Sequence, residues 1–338
     1  MSDTDYDSDV PSTSTGAARG NKLPALQIKN MWASYKVRDK LRTVEQCIAF
    51  SEQNGLMLRT KLCTTHRTPM AIYGMGSADL GSFRCRKGPC RTKSSVSRAK
   101  GTWFENAKIS LPHIFYMMHC YSGHYTQSQV KLENYVEGPC LSSRKITDWY
   151  NYCWEEVVYY QLEKEEHGAK IGGPGKIVQI DGSKFGKRKF NKGRRVEGHW
   201  VLGMIEDGSE DIRLEECPDN VRSTEVLIPL IQKHVAESTT IRTDFWKAYD
   251  CLPSYGYEYQ KVNHSDPDNP FVAPDGTHTQ RIESQWRVVK RVFQKDNYNN
   301  TANFADIIVE FLWRKSIENN RQDPFEKLIE AVKHTYKP

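Results

Sequence analysis

The feature that most constrains this 338-residue chain is a change of hydrophobic period across Gly168 to Gly175. Before it, apolar residues recur at helical spacing. Trp103 to Tyr121 carries Phe104, Ala107, Ile109, Leu111, Ile114, Phe115 and Met118, with Pro112 early in the expected helix. A second helix is expected near 127–136, and a third from Lys145 to Glu165 behind a Ser143 cap. After the change, the runs are short and β-branched. Ile177-Val178-Gln179-Ile180 reads as a buried strand ending at Asp181. His199 to Ile205 and Asp211 to Glu215 follow as two more, joined by the turn Glu206-Asp207-Gly208-Ser209. A helix from Ser223 to Val235 precedes Thr239 to Thr243, a strand that delivers Asp244. The order is β-β-β-α-β, with a carboxylate at the end of the first and fourth strands.

Two strand-end carboxylates this far apart in sequence meet only if their strands are parallel neighbours. The order therefore predicts an α/β fold, a ribonuclease H-like domain whose mixed sheet is flanked by helices. An Asp at a strand end is more often a turn residue when taken singly. The pair within this order points elsewhere. A third carboxylate is expected from the helix around 278–293, where Ile282, Trp286, Val289 and Phe293 make a buried stripe and Glu283, Arg287 and Lys290 share another face. Without the aspartates, Glu283 and Arg287 read as a solvated helix pair. Three converging carboxylates need a divalent cation to stay ionised together, and oxygen-only donors suit Mg²⁺ or Mn²⁺. Two such ions ~4 Å apart are suited to in-line phosphoryl displacement, the chemistry of nucleic-acid strand cleavage.

Nine cysteines without a dense framework argue against a secreted disulfide scaffold, so paired Cys and His are weighed first as metal ligands. Cys63-x-x-His66 and Cys85-x4-Cys90 supply four donors, the layout of a zinc ribbon with a structural Zn²⁺; unrelated core cysteines are the alternative. No run approaches the ~18 apolar residues of a membrane span, so no membrane partner is expected. The opening MSDTDYDSDV has no apolar signal core, which favours an intracellular setting. Net charge is +6, although Asp3, Asp5, Asp7 and Asp9 make the first twenty residues acidic, so the remainder is more basic still. That excess suits a polyanion, or serves solubility alone. Lys184, Lys187, Arg188, Lys189, Lys192, Arg194 and Arg195 crowd twelve positions without an acid. They read as a phosphate clamp beside the cutting site, a nuclear localisation signal, or a solvated loop. The expected organisation is a disordered acidic tail over 1–22, a zinc-ribbon region over 23–101, a helical domain over 102–168, a catalytic domain over 169–325 and a C-terminal tail over 326–338. The helical domain is either a helix-turn-helix DNA reader or a packed three-helix linker.

The runs IVQIDGSKFGKRKFNKGRR, HWVLGMIEDG, IRTDFWKAYDCL, VNHSD and HTQRIESQWRVVKR, in this order from Lys176 to Phe293, resemble the catalytic domain of the Merlin superfamily of cut-and-paste DNA transposases and their bacterial insertion-sequence relatives. The resemblance implies an Asp-Asp-Glu triad at Asp181, Asp244 and Glu283 holding two Mg²⁺ or Mn²⁺ ions, with Lys290 as the basic residue seven positions on. Gln280 stands where the family often has Asn, and His66 where its ribbon usually has Cys. GTWFENAKISL also looks like the family's. The implied function is metal-dependent cleavage and strand transfer of double-stranded DNA at transposon terminal inverted repeats and target, by a dimer or larger homo-oligomer in the nucleus. A domesticated DNA-binding protein that has lost the chemistry and a nuclease without strand transfer are the alternatives.

Overall fold

The computed structural model describes residues 25–75, 80–88, 90, 95–186, 198–269, 271–295 and 303–338. The expected disordered tail over 1–22 and the basic residues Lys187, Arg188, Lys189, Arg194 and Arg195 lie outside these. The chain divides into two units, Met1–Met31 and Trp32–Pro338. Of the first, a short helix, α1 (Ala25–Asn30), is described.

The second unit begins with α2 (Ser34–Lys40) and α3 (Val44–Gln53). Helix α3 is started by a reciprocal cap, in which the Thr43 hydroxyl accepts from Gln46 N–H and the Gln46 side chain accepts from Thr43 N–H. Strands β1 (Ala71–Met75), β2 (Leu80–Arg84) and β3 (Ser95–Ser97) form an antiparallel sheet. Buried Arg98 ties it to Glu52 of α3. Helices α4 (Leu111–Ser122), α5 (Gln127–Leu132) and α6 (Ser143–Glu166) follow. The first is shorter than its apolar spacing predicts. Pro112 sits in its first turn, where its missing N–H and its ring oppose extension of the helix toward lower residue numbers, so 103–110 stay irregular while Trp103 and Phe104 still fill the core. Ser142, one residue before the expected Ser143, caps α6 by accepting from Lys145 N–H. Every residue of α4 is buried. Around it pack Val37, Leu41, Leu56, Ile146, Trp149 and Val157.

The central sheet comprises β5 (Ile177–Phe185), β6 (His199–Glu206), β7 (Ile212–Glu216), β9 (Thr240–Asp244) and β10 (Glu258–Val262), with α7 (Thr224–His234) and a short β8 (Val235–Ala236) between β7 and β9. Strand order is β10-β9-β5-β6-β7. The first three in chain order form an antiparallel meander, β5 pairs in parallel with β9, and β9 with β10. This is the mixed sheet with adjacent first and fourth strands that the β-β-β-α-β pattern predicts, but β5 continues past its expected end to Phe185, so Asp181 lies within the strand opposite Gly203, while Asp244 does end β9. A two-residue β4 (Ile171–Gly172) pairs with β8 apart from it.

Each face of the sheet has its own apolar layer. Val178, Ile180, Leu202, Met204 and Ile241 meet α7 residues Leu227, Ile228 and Ile231. On the other face Phe185, Val201 and Ile205 meet α8 (Gln280–Lys295) through the predicted stripe Ile282, Trp286, Val289 and Phe293. Helix α9 (Phe304–Asn319) joins the two halves of the unit. Phe304, Ile307, Ile308 and Phe311 belong to the sheet's layer, while Trp313 and Ile317 belong to the helical core. The stretch expected as a tail from residue 326 is instead mostly α10 (Pro324–Thr335), with Phe325, Leu328, Ile329 and Val332 buried in that same core. Their helical spacing buries one face, Pro324 suits a first turn, and Asp323 caps it by accepting from Phe325 and Glu326 N–H at 2.8 and 3.1 Å. Among the described residues no helix is long and apolar enough to cross a membrane.

Gly203 of β6 lies opposite Asp181 of β5, beneath the Trp286 indole. A Cβ at position 203 would stand 2.6 Å from that ring, too close for either to remain in place. Gly203→Ala is therefore expected to destabilise the fold by ~1–3 kcal/mol, the usual range for overpacking a filled core. Denaturant unfolding measures it, and unchanged stability would show that the indole does not lie against this strand.

Candidate active site

Asp181 and Asp244 project on the same side of neighbouring parallel strands. The register pairs Gln179 with Arg242, so the residues two further along each strand are the two aspartates. Asp181 accepts the Trp286 indole N–H at Oδ2 (2.7 Å) and the Gly182 N–H at Oδ1 (2.7 Å). Glu283 stands in the first turn of α8, where the helix dipole favours an anion. It accepts the Thr279 hydroxyl at 2.6 Å and faces His264 Nε2 at 3.4 Å. The carboxylates of Asp181, Asp244 and Glu283 act on one another electrostatically. Burial above all raises the Asp181 pKa, the Trp286 hydrogen bond opposes it, and the charges of Asp244 and Glu283 add to the rise. Burial also raises Asp244, against the pull of Arg222 and His264, while Glu283 adds to the rise. The Oδ1 atom of Asp244 is buried without a hydrogen-bond partner. A buried, unpartnered carboxylate oxygen within electrostatic reach of two more carboxylates fits a hard divalent cation, since oxygen donors and excess negative charge are what Mg²⁺ and Mn²⁺ take.

Other groups around the carboxylates carry no signature in the local sequence. The Arg222 guanidinium stacks on Trp200, 3.6 Å from the ring centroid, and lies 4.6 Å from that of Trp246. It also occupies the space above Gly182, where a Cβ would stand 2.9 Å from Nη1. Nothing local in the sequence links Arg222 to these strands. Trp286 fills the core as its place in the apolar stripe predicts, and its N–H makes it also a partner of Asp181. The sequence-predicted Arg287 is exposed on the outer face of α8, and Lys290 is half-buried with Nζ 5.5 Å from the Phe185 ring centroid. Lys184, at the described edge of the basic run, lies 5.6 Å from the Trp200 centroid.

The second sequence-predicted cluster also assembles. Cys63 follows the isolated bridge of Leu62 to Pro69, in a tight loop closed by Arg67 N–H to Cys63 O and Cys63 N–H to Thr68 O. Cys85 leaves the end of β2. The donor atoms of Cys63, His66, Cys85 and Cys90 all lie within 4.8 Å of one another. Tetrahedral Zn–S bonds of ~2.3 Å place sulfurs ~3.8 Å apart, so the group has the size of a zinc cage. The His66 Nδ1 atom lies 3.7 Å from Cys63 Sγ and 3.5 Å from Cys85 Sγ. The His66 backbone N–H and ring hold the Cys63 thiol down at about 6, which favours the thiolate a metal requires. The Lys87 backbone N–H acts on Cys85 in the same direction, but burial and the neighbouring Cys63 and Cys90 leave it raised. Cys47, Cys120 and Cys153, by contrast, are core residues of the helical part.

Two surface clefts of about 680 and 720 Å³ lie elsewhere, along α6 and α9. Neither includes a triad carboxylate.

Residues 168–315, somewhat under half of the chain, match the family model of the ISXO2-like transposase domain. The matched stretch contains the whole central sheet, α7, α8 and all three carboxylates, and it supports a DDE transposase family for that part of the chain. Among solved structures, the chain is similar to the catalytic core domain of BIV integrase, at 15% identity and a TM-score of 0.26, covering 47% of this chain and 97% of that one. No curated protein matches the sequence.

Two measurements follow from this geometry. Freshly purified protein is expected to carry one zinc, and the Cys85→Ser, Cys90→Ser double variant to lose it; metal analysis showing none, or full retention by the variant, would reject the cage. In chelator, Asp244→Asn is expected to raise thermal stability at pH 7. A carboxylate with a raised folded pKa binds its proton more tightly in the fold than in the unfolded chain, so stability falls as pH rises through the interval between the two values. The gain should shrink as pH is lowered toward 4, and a gain independent of pH would assign it to packing.

Proposed function

We propose that this chain is a cut-and-paste DNA transposase of the Merlin type, in which Asp181, Asp244 and Glu283 hold two Mg²⁺ or Mn²⁺ ions for cleavage and strand transfer at terminal inverted repeats. The observation that carries the reading is the placement of Asp181 and Asp244 at matching positions of the parallel strands β5 and β9, within electrostatic reach of Glu283 on α8, with the buried Oδ1 of Asp244 left without a protein partner. The match to a transposase domain over the same stretch supports it.

In this reading each residue has a separate task. Asp181 and Asp244 present oxygens from rigid neighbouring strands, and Glu283 closes the set from the helix. Bound divalent ions would neutralise this charge and activate an oxygen for in-line attack at phosphorus. Trp286 holds Asp181 in orientation through one oxygen and leaves the carboxylate its charge. His264 and Thr279 hold Glu283. Lys290 and Arg287 on α8, with Lys187, Arg188, Lys189, Arg194 and Arg195 of the basic run, supply cations for the DNA backbone. The zinc cage is structural, since four protein ligands leave no open position. Recognition of the inverted repeats falls to the zinc-bearing and helical parts. A homo-oligomer joins two ends, and the basic run also serves nuclear entry.

The test uses a labelled duplex carrying the inverted repeat that flanks the coding sequence. The protein should nick it with Mg²⁺ or Mn²⁺ and join the cut end to a target duplex. Asp181→Asn and Asp244→Asn should each bring nicking below detection while duplex affinity changes by less than ~3-fold, because an amide keeps the shape and removes the charge that holds metal. Ordinary nicking by either variant removes the triad. Binding without any nicking by the unaltered protein decides for a domesticated DNA-binding protein, and nicking without joining for a nuclease.

A further inference from the structure

The first turn of every helix leaves N–H groups without intrahelical acceptors, and the side chain of the residue before the helix ordinarily takes one of them. In α8 that position is Thr279, because Glu283 N–H donates to the Thr279 carbonyl at 3.1 Å. Its hydroxyl does not cap the helix. It donates to Glu283 Oε1 at 2.6 Å. The orphan N–H groups of Arg281 and Ile282 go instead to the side chain of Gln179, whose Oε1 accepts them at 3.0 and 3.3 Å.

Gln179 belongs to β5, two residues before Asp181 and on the same face of the sheet. Its relative exposure is 0%. Its Nε2 donates to Asp207 Oδ1 at 2.8 Å and lies 3.4 Å from His278 Nδ1. Both acceptor positions and both donors of the amide are therefore engaged. The strand could be filled without any of this, for Val178 and Ile180 on either side are ordinary apolar residues of the opposite face, and a buried amide is costly unless fully bonded. What the amide adds is a fixed distance. It bonds the start of α8 one residue before Glu283, and it lies ~7 Å along β5 from Asp181.

We propose that Gln179 is the positioning residue of Glu283. It caps α8 from the strand that bears Asp181, so one side chain sets the spacing of two carboxylates and releases Thr279 to hold Glu283. This rests on the reading that Asp181 and Glu283 act on a shared metal. Gln179 itself touches no reacting atom.

Gln179→Met keeps the volume and removes the cap. Amide exchange at Arg281 and Ile282 should accelerate several-fold. The kcat for nicking should fall ~10- to 100-fold with KM for DNA unchanged, and half-maximal activity should need more Mn²⁺, because the carboxylate is misplaced and the DNA surface is not. The double variant Gln179→Glu, Asp207→Asn exchanges donor and acceptor between these partners while keeping an oxygen toward the helix, so it should return kcat to within ~3-fold of the unaltered protein and restore slow exchange. Gln179→Glu alone sets two carboxylates against each other and should remain impaired. If Gln179→Met does not fold, the single and double Glu variants decide: an active double beside an impaired single supports the cap, and equal activity of the two overturns it. Unaltered exchange and kcat in Gln179→Met also overturn it. Failure of the triad reading looks different, since Asp181→Asn would then nick normally, whereas exchange at the start of α8 reports on the cap alone.

Discussion

Parallel pairing of β5 with β9 is the constraint on which the site depends. Strands of opposite direction would carry their ends to opposite edges of the sheet, and Asp181 and Asp244 could not face one another. The pairing has a topological requirement, because parallel neighbours need a crossover. The chain meets it by running β6 and β7 as a meander and returning through α7. Helix α7 thereby covers one face, which leaves the other face for α8 and its Glu283. The apolar layers on the two faces therefore serve the acidic cluster directly, as each fixes the element that carries one of its members.

The cluster is arranged against its own stability. Burial and mutual repulsion raise Asp181 and Asp244, and protein donors offset this only in part. Trp286 and Gly182 bond Asp181, Arg222 and His264 draw on Asp244 through charge, and one oxygen of Asp244 has no partner. A fold selected for stability alone would place Asn or Thr at such a position. The residual excess of negative charge is the property that binds a cation, and the surrounding apolar layers are large enough to sustain it.

Much of this arrangement was legible in the sequence because it is written in local periodicity. The strand runs, the buried stripe of α8 and the Cys and His spacing each carry their own pattern, and the four expected strands lie close to their predicted positions, save that β5 runs on past Asp181 to Phe185. What escaped was non-local. Arg222 and Trp286 acquire their roles from elements distant in the chain, and Gln179 reads as an ordinary strand residue until α8 is placed over it. The short α4 reflects Pro112 prevailing over an apolar pattern. The apolar spacing of 325, 328, 329 and 332 was visible, but a short terminal helix needs a partner surface before it can be told from a tail.

That surface links the ends of the second unit. Asp323 caps α10 and also accepts the backbone N–H of Trp32, so the two ends of Trp32–Pro338 are held at one point of the helical core. Helix α9 then carries this core onto the sheet, since its early residues Phe304, Ile307 and Phe311 lie in the layer with Trp286 and its later residues Trp313 and Ile317 lie among α4 and α6. One rigid helix thus belongs to both halves. The same layer contains Phe185, whose ring meets Trp286, Phe293 and Phe304 at the strand end just before the basic run. Packed aromatic rings rather than a loop thus connect the helical part to the indole that bonds Asp181.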